Sequence, residues 1–166
     1  MHETALRFLS RFAPFYRGAP SILEIGSLNL NGSPRAIFAG GNYFGIDLVD
    51  GSGVDEVSSG ATFDTERRFD LVLCSEVLEH TVLGPEICSN AHRLLLPGGL
   101  FLVTAAGYGR TPHSAVDGEH LREGEYYRNV LERELRDWLK PFSTVLIDVA
   151  TFGDVYAMAT KGGASP

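Results

Sequence analysis

Two periods alternate along the chain. Residues 4–16 place Leu6, Leu9, Phe12 and Ala13 at helical spacing, and Pro14 is set to end or bend that helix. Short, nearly continuous apolar runs follow at 21–25, 42–48, 69–74 and 100–105, and each reads as a strand. The run FDLVLC at 69–74 is apolar enough to be buried on both faces of a sheet. A shorter run, 54–57, reads as a strand near an edge. The spacing predicts a short helix over 34–39, with Ser33 as its N-cap and Pro34 in first position. A polar connection over 60–68 precedes the FDLVLC strand. A second helix over 85–95 puts Ile87, Ala91, Leu94 and Leu95 on one face, and Pro97-Gly98-Gly99 then turns the chain into the next strand. After an irregular stretch, 107–129, a helix is expected over 130–139 with Leu131, Leu135, Trp138 and Leu139 inward. Two strands, 142–150 and 155–160, close as an antiparallel hairpin around Phe152-Gly153-Asp154.

Strands alternating with helices imply an α/β fold, a doubly wound and mostly parallel seven-stranded sheet ending in a C-terminal antiparallel hairpin. Residues 1–20 are expected to be an N-terminal helix covering a sheet face or the cofactor and acceptor side. Residues 21–161 form the main domain and 162–166 a loose tail. Composition narrows the function. With 166 residues, 44% hydrophobic and 21% charged, the chain suits one globular domain. A net charge of −7 argues against a broad nucleic-acid footprint, which needs clustered Lys and Arg. No apolar stretch is long enough to span a membrane. The two cysteines, Cys74 and Cys88, fall in a strand and a helix as small hydrophobes, which fits a reducing, cytoplasmic setting.

The chemistry concentrates after the first strand. Glu24-Ile25-Gly26 ends that strand in a turn where a ligand can lie against backbone, at the strand end where open α/β sheets bind ligands. Asp47 ends the second strand about twenty residues on, where an acid accepts from both hydroxyls of a ribose. The chain lacks the G-x-G-x-x-G pattern that brings backbone against a pyrophosphate. A nucleoside without a diphosphate therefore fits better than a dinucleotide, and a nicotinamide-dependent oxidoreductase is disfavoured.

Four segments in order, LEIGS at 23–27, YFGIDLVDGSGVDEV at 43–57, FDLVLCSEVLEH at 69–80 and RLLLPGGLFLVT at 93–104, resemble the class I S-adenosylmethionine-dependent methyltransferases, and especially the type 11 group. The resemblance implies a Rossmann-like methyltransferase fold, S-adenosyl-L-methionine as cofactor and S-adenosyl-L-homocysteine as product. It implies cofactor-binding roles for Glu24, Gly26 and Ser27, for Asp47 and Leu48 at the ribose and adenine, for Ser59 and Gly60, and for Ser75 and Glu76 along the methionine moiety. Two departures stand out. Ser27-Leu28-Asn29 replace the further glycines usual in the first motif, and Ser59 stands where an Asp usually meets the adenine amine.

Methyl transfer is an in-line displacement on an activated sulfonium, so the protein has chiefly to align its partners and remove a proton. His80 is the candidate catalytic base, with capping of its own turn as the other role that fits. Glu79, His113, Tyr126, Tyr127 and Arg128 are candidates for the acceptor pocket; the tyrosines also suit anchoring of the 107–129 segment. His113, Asp117 and His120 have metal-ligand spacing, but Gly118 speaks against a helix there and no metal is expected. The expected activity is methyl transfer to a small-molecule or sugar-like acceptor. The alternative is a non-catalytic cofactor-binding module of the same fold.

Overall fold

The computed structural model describes residues 3–16, 18–30, 32–150 and 153–163. Asn31 of the loop after the first strand, Phe152 of the hairpin turn and residues 164–166 of the expected tail lie outside the described residues. The strands are β1 (Ser21–Ile25), β2 (Asn42–Asp47), β3 (Glu56–Val57), β4 (Phe69–Ser75), β5 (Leu95–Ala106), β6 (Thr144–Val149) and β7 (Asp154–Thr160). The helices are α1 (Glu3–Ser10), α2 (Gly84–Leu94) and α3 (Glu132–Trp138). One sheet takes the order β3-β2-β1-β4-β5-β7-β6, with β7 antiparallel to both β5 and β6. This is the expected α/β architecture with its closing hairpin. No helix among the described residues is long and apolar enough to cross a membrane.

The two faces of the sheet are covered separately. α2 and α3 send Ile87, Ala91, Leu94 and Leu135 onto Leu23, Val72 and Phe101. α1 sends Ala5, Phe8 and Leu9 onto Ile22, Leu71 and Leu102 on the opposite face, where Phe8 stacks on Tyr156 at 5.0 Å. The alternation of Ile22 and Leu23, or Leu71 and Val72, between these clusters is the period of two of a strand buried on both sides. The described part of the N-terminal segment packs on the sheet face. None of its described residues lines the cavity found at the strand ends.

Three elements differ from expectation. Residues 34–39 form only a 3₁₀ turn, Pro34–Ala36, although Ser33 Oγ does accept from the Arg35 amide at 3.2 Å. Six residues ended by Gly40 are too few to repay helix nucleation. The N-terminal helix stops at Ser10, and a separate 3₁₀ turn, Ala13–Phe15, carries Pro14. β5 starts at Leu95 directly from α2, because Leu95 already pairs with Phe69; Pro97-Gly98-Gly99 is a register shift inside the ladder. Leu23 is fully buried between Phe44 of β2 and Val72 of β4. Leu23→Ala is expected to lower unfolding free energy by about 2–5 kcal/mol, read as a lower urea midpoint at unchanged slope.

Candidate active site

A cavity of about 1130 Å³ opens at the carboxyl ends of β1, β2 and β4. Its floor follows from the first loop. Gly26 has φ +81°, and a Cβ there would sit 2.2 Å from Val77 Cγ2. The amides of Gly26 and Ser27 both donate to the Ile46 carbonyl, at 2.9 and 3.1 Å, so the loop lies flat across the end of β2. Asp47 continues the same device: Oδ2 accepts from the Leu28 amide at 3.0 Å and Oδ1 from the Val49 amide at 3.2 Å. Each carboxylate oxygen keeps acceptor capacity toward the cavity. Leu48 and Val49, 73% and 60% exposed, offer an apolar rim beside it.

Glu24, Gly26, Asp47, Leu48, Ser59, Gly60, Ser75 and Glu76 thus share one cavity wall. Ser27 does not join them. Its side chain turns under the loop, and a Cβ on Gly45 would lie 2.6 Å from its hydroxyl. Ser59 Oγ accepts from the Ala61 amide at 3.3 Å, while Asn90 of α2 holds the Gly60 carbonyl at 2.9 Å. Glu76 adopts a left-handed conformation, φ +57°, unusual without a glycine. Its amide donates to the Thr104 carbonyl at 2.8 Å, and the Thr104 hydroxyl donates to its carboxylate at 2.9 Å. Strain held in this way at a cavity wall is typical of binding sites.

Ser75 Oγ, a buried wall atom, has no protein partner, whereas the Glu24 carboxyl meets the Tyr43 hydroxyl. Buried polar groups are almost always paired, so Ser75 calls for a ligand or water. Burial pushes the Glu24 carboxyl up to about 7, and the charges of Asp47 and Asp55 add to this against Tyr43 and Arg35. The folded state then holds a proton between the unfolded value near 4.5 and about 7 that the unfolded chain has released. This contribution to stability therefore falls as pH rises through that window. Glu24→Gln is expected to remove the fall and to be the more stable protein at pH 8 by up to about 3 kcal/mol, measured as Tm of both proteins from pH 4.5 to 8.

At the other end, His80 and His113 line the cavity, and Tyr127 packs behind them. Ring centroids lie 5.0 Å apart for His80–His113, 5.5 Å for His80–Tyr127 and 4.9 Å for His113–Tyr127, all edge to face. His80 Nδ1 is buried without a partner. Burial, then the nearby His113, lowers its pKa to about 4 against the opposing influence of Glu125 and the Tyr126 backbone. The ring is therefore neutral at pH 7. Glu79 lies beneath, fully buried: one carboxylate oxygen accepts from the Ala106 amide at 3.0 Å, and its carbonyl accepts from the Arg128 amide at 2.8 Å. Burial, then the charge of Glu76, raises its pKa.

Tyr126, Tyr127 and Arg128 do not reach the cavity wall. Arg128 turns to Glu134 at the start of α3, at 2.7 Å. The cationic wall residue is Arg110, which the sequence reading passes over. It is ion-paired with the buried Asp154 of β7, which also accepts from the Tyr156 hydroxyl at 2.9 Å. A pair separated by 44 residues leaves no local signal. The sequence does single out the 107–129 segment, whose residues 109–120 roof the cavity.

An acid at the end of β2, a flat glycine loop after β1 and a neutral imidazole share one cavity at the strand ends of a seven-stranded α/β fold. The family model of the methyltransferase domain matches residues 23–103, just under half of the chain, and the chain is similar to the class I S-adenosylmethionine-dependent methyltransferases. The ubiquinone biosynthesis O-methyltransferase of Methylobacterium nodulans is 39% identical over 83 residues, 48% of this chain and 30% of that protein. The chain spans less than a third of the length of that relative. Among solved structures, the Burkholderia thailandensis 1,6-didemethyltoxoflavin-N1-methyltransferase, with its acceptor and S-adenosylhomocysteine bound, superposes with TM-score 0.66. It is 21% identical, over 96% of this chain and 79% of that one. The N-methyltransferase NodS of Bradyrhizobium japonicum, bound to S-adenosyl-L-homocysteine, superposes with TM-score 0.65 at 16% identity, over 95% and 86%. These likenesses show a shared fold.

Proposed function

We propose that this protein transfers a methyl group from S-adenosyl-L-methionine to a small-molecule or sugar-like acceptor, releasing S-adenosyl-L-homocysteine. The observation that carries the reading is the single cavity, with Asp47 at one end and the His80 ring at the other. The similar proteins named above act by O- or N-methylation, and one holds a small heterocycle. In this reading the Asp47 carboxylate, already oriented by two amides, accepts from the ribose hydroxyls. Leu48 backs the adenine with Ser59 and Gly60 beside it. Glu24, Gly26, Ser75 and Glu76 border the methionine part, and Ser27 contributes through the loop it holds in place.

The cofactor supplies an activated methyl on sulfur. His80 takes the acceptor's proton on its ring as the new bond to methyl forms, and roof residues such as His113 and Arg110 shape the acceptor's place. A neutral imidazole of lowered basicity suits an acceptor whose own hydroxyl or N–H is acidic. Free, buried Cys74 and Cys88 support a reducing, cytoplasmic setting.

Isothermal titration is expected to show S-adenosylhomocysteine binding at one site, weakened about 10–100-fold by Asp47→Ala, which removes two charge-assisted bonds. No binding at millimolar ligand overturns the reading. Once an acceptor is found by screening, His80→Ala is expected to lower kcat about 10²–10⁴-fold while S-adenosylhomocysteine affinity stays within twofold or so of the parent protein.

A further inference from the structure

The acceptor end holds more unpaired polar capacity than proton transfer needs. Glu79 Oε2 and His80 Nδ1 are both buried without a partner. One donor atom from each of Glu79, His80 and His113 lies within 4.8 Å of the other two. His113 Nδ1 stands 3.1 Å from the Thr111 carbonyl. A neutral ring that donates there keeps its Nε2 lone pair free, the orientation that metal-binding histidines are given by their outer partners. Glu79 itself is held by the Ala106 amide through its other oxygen. The three ligand groups come from two bodies: Glu79 and His80 from the turn after β4, His113 from the roof. The packing of the roof on that turn brings them together.

We propose that Glu79, His80 and His113 bind a divalent transition-metal ion of the Zn²⁺ class, which clamps the roof to the turn after β4. Two imidazoles and one carboxylate suit Zn²⁺, whereas Mg²⁺ and Ca²⁺ prefer all-oxygen shells. A tetrahedral ion with bonds of about 2.0–2.1 Å spaces its ligands by roughly 3.3 Å. The present spacing, within 4.8 Å, needs to close by at most about 1.5 Å, within reach of two ring rotations. The His113, Asp117 and His120 spacing noted in the sequence does not form this group, because Asp117 is engaged by Arg122. An ion here occupies the lone pair assigned above to the proton. Bound metal therefore inhibits, a consequence that rests on the proposed role of His80; the binding itself does not.

The test titrates ZnCl₂ into the untagged, metal-free full chain by calorimetry. One ion per chain is expected at micromolar affinity, weakened about tenfold or more by His113→Ala. MgCl₂ is expected to give no comparable binding. Zn²⁺ is also expected to slow tryptic cleavage after Arg110 and Arg122 in the parent protein and to have no such effect in His113→Ala. In a methyl-transfer assay Zn²⁺ inhibits and EDTA restores the rate. Absent Zn²⁺ binding, equal affinity in His113→Ala, Mg²⁺ binding as tight as Zn²⁺, unprotected roof cleavage or activation by Zn²⁺ each overturns the proposal. Titration of the same samples with S-adenosylhomocysteine shows that the variant is folded. Failure of that titration in the parent protein counts against the methyltransferase reading and leaves the metal result standing.

Discussion

The close approach of the first loop to the second strand is the constraint on which the site depends. Gly26 and Ser27 share the Ile46 carbonyl, and the buried Ser27 side chain occupies space that any side chain on Gly45 would need. This contact lets the loop lie low enough for the Leu28 amide to reach Asp47. A Cβ at Gly26 would strike Val77, so the turn after β4 depends on the same glycine. The cavity floor is therefore one rigid unit built from the ends of three adjacent parallel strands. Small residues are required there for backbone-to-backbone proximity more than for flexibility.

The other half of the cavity has a different organiser, the buried carboxyl of Glu79. Its carboxylate ties the turn after β4 to the end of β5 through the Ala106 amide, and the Glu79 backbone carbonyl ties in the 126–130 segment through the Arg128 amide. Val130 reinforces the junction by donating to the Ala106 carbonyl at 2.8 Å. Neighbouring Arg110 is braced by Asp154, and Asp154 is bonded to Tyr156, on which Phe8 of α1 stacks. The N-terminal helix thus contributes no lining residue, although Leu6 lies beside Gly32 of the wall, and it supports the roof through the opposite face of the sheet. The cofactor half is held mainly by backbone hydrogen bonds. The roofed half is held by side chains from distant parts of the chain.

Much of this was legible in the sequence. β1, β2, β4 and β7 are strongly patterned, and their observed bounds fall within about a residue of the apolar runs. Glu24, Gly26, Asp47, Ser59, Gly60, Ser75 and Glu76 meet on one wall because strand ends in a parallel sheet necessarily gather at one edge. The helix over 34–39 failed because a cap and a proline locate a helix start but do not supply length. The strand start at Leu95 was hidden by Pro97-Gly98-Gly99, which ordinarily marks a turn and here is a bulge between paired residues.

The sequence by itself determined the sheet, the nucleoside end of the cavity and the segment that roofs it, since these depend on local periodicity, turn chemistry and topology. Only the tertiary structure decided which side chains face the acceptor. Arg128 and Tyr127 are acceptor-pocket candidates in the sequence, yet Arg128 is drawn away to Glu134 and Tyr127 is wedged behind two histidine rings. Arg110 holds the wall because a buried Asp154 in another strand pairs with it. Ser27 belongs to the first motif, yet its side chain is turned away from the ligand side by the space over Gly45. Side-chain direction in an irregular segment is set by the partners that satisfy charge and burial, and those partners are far away along the chain.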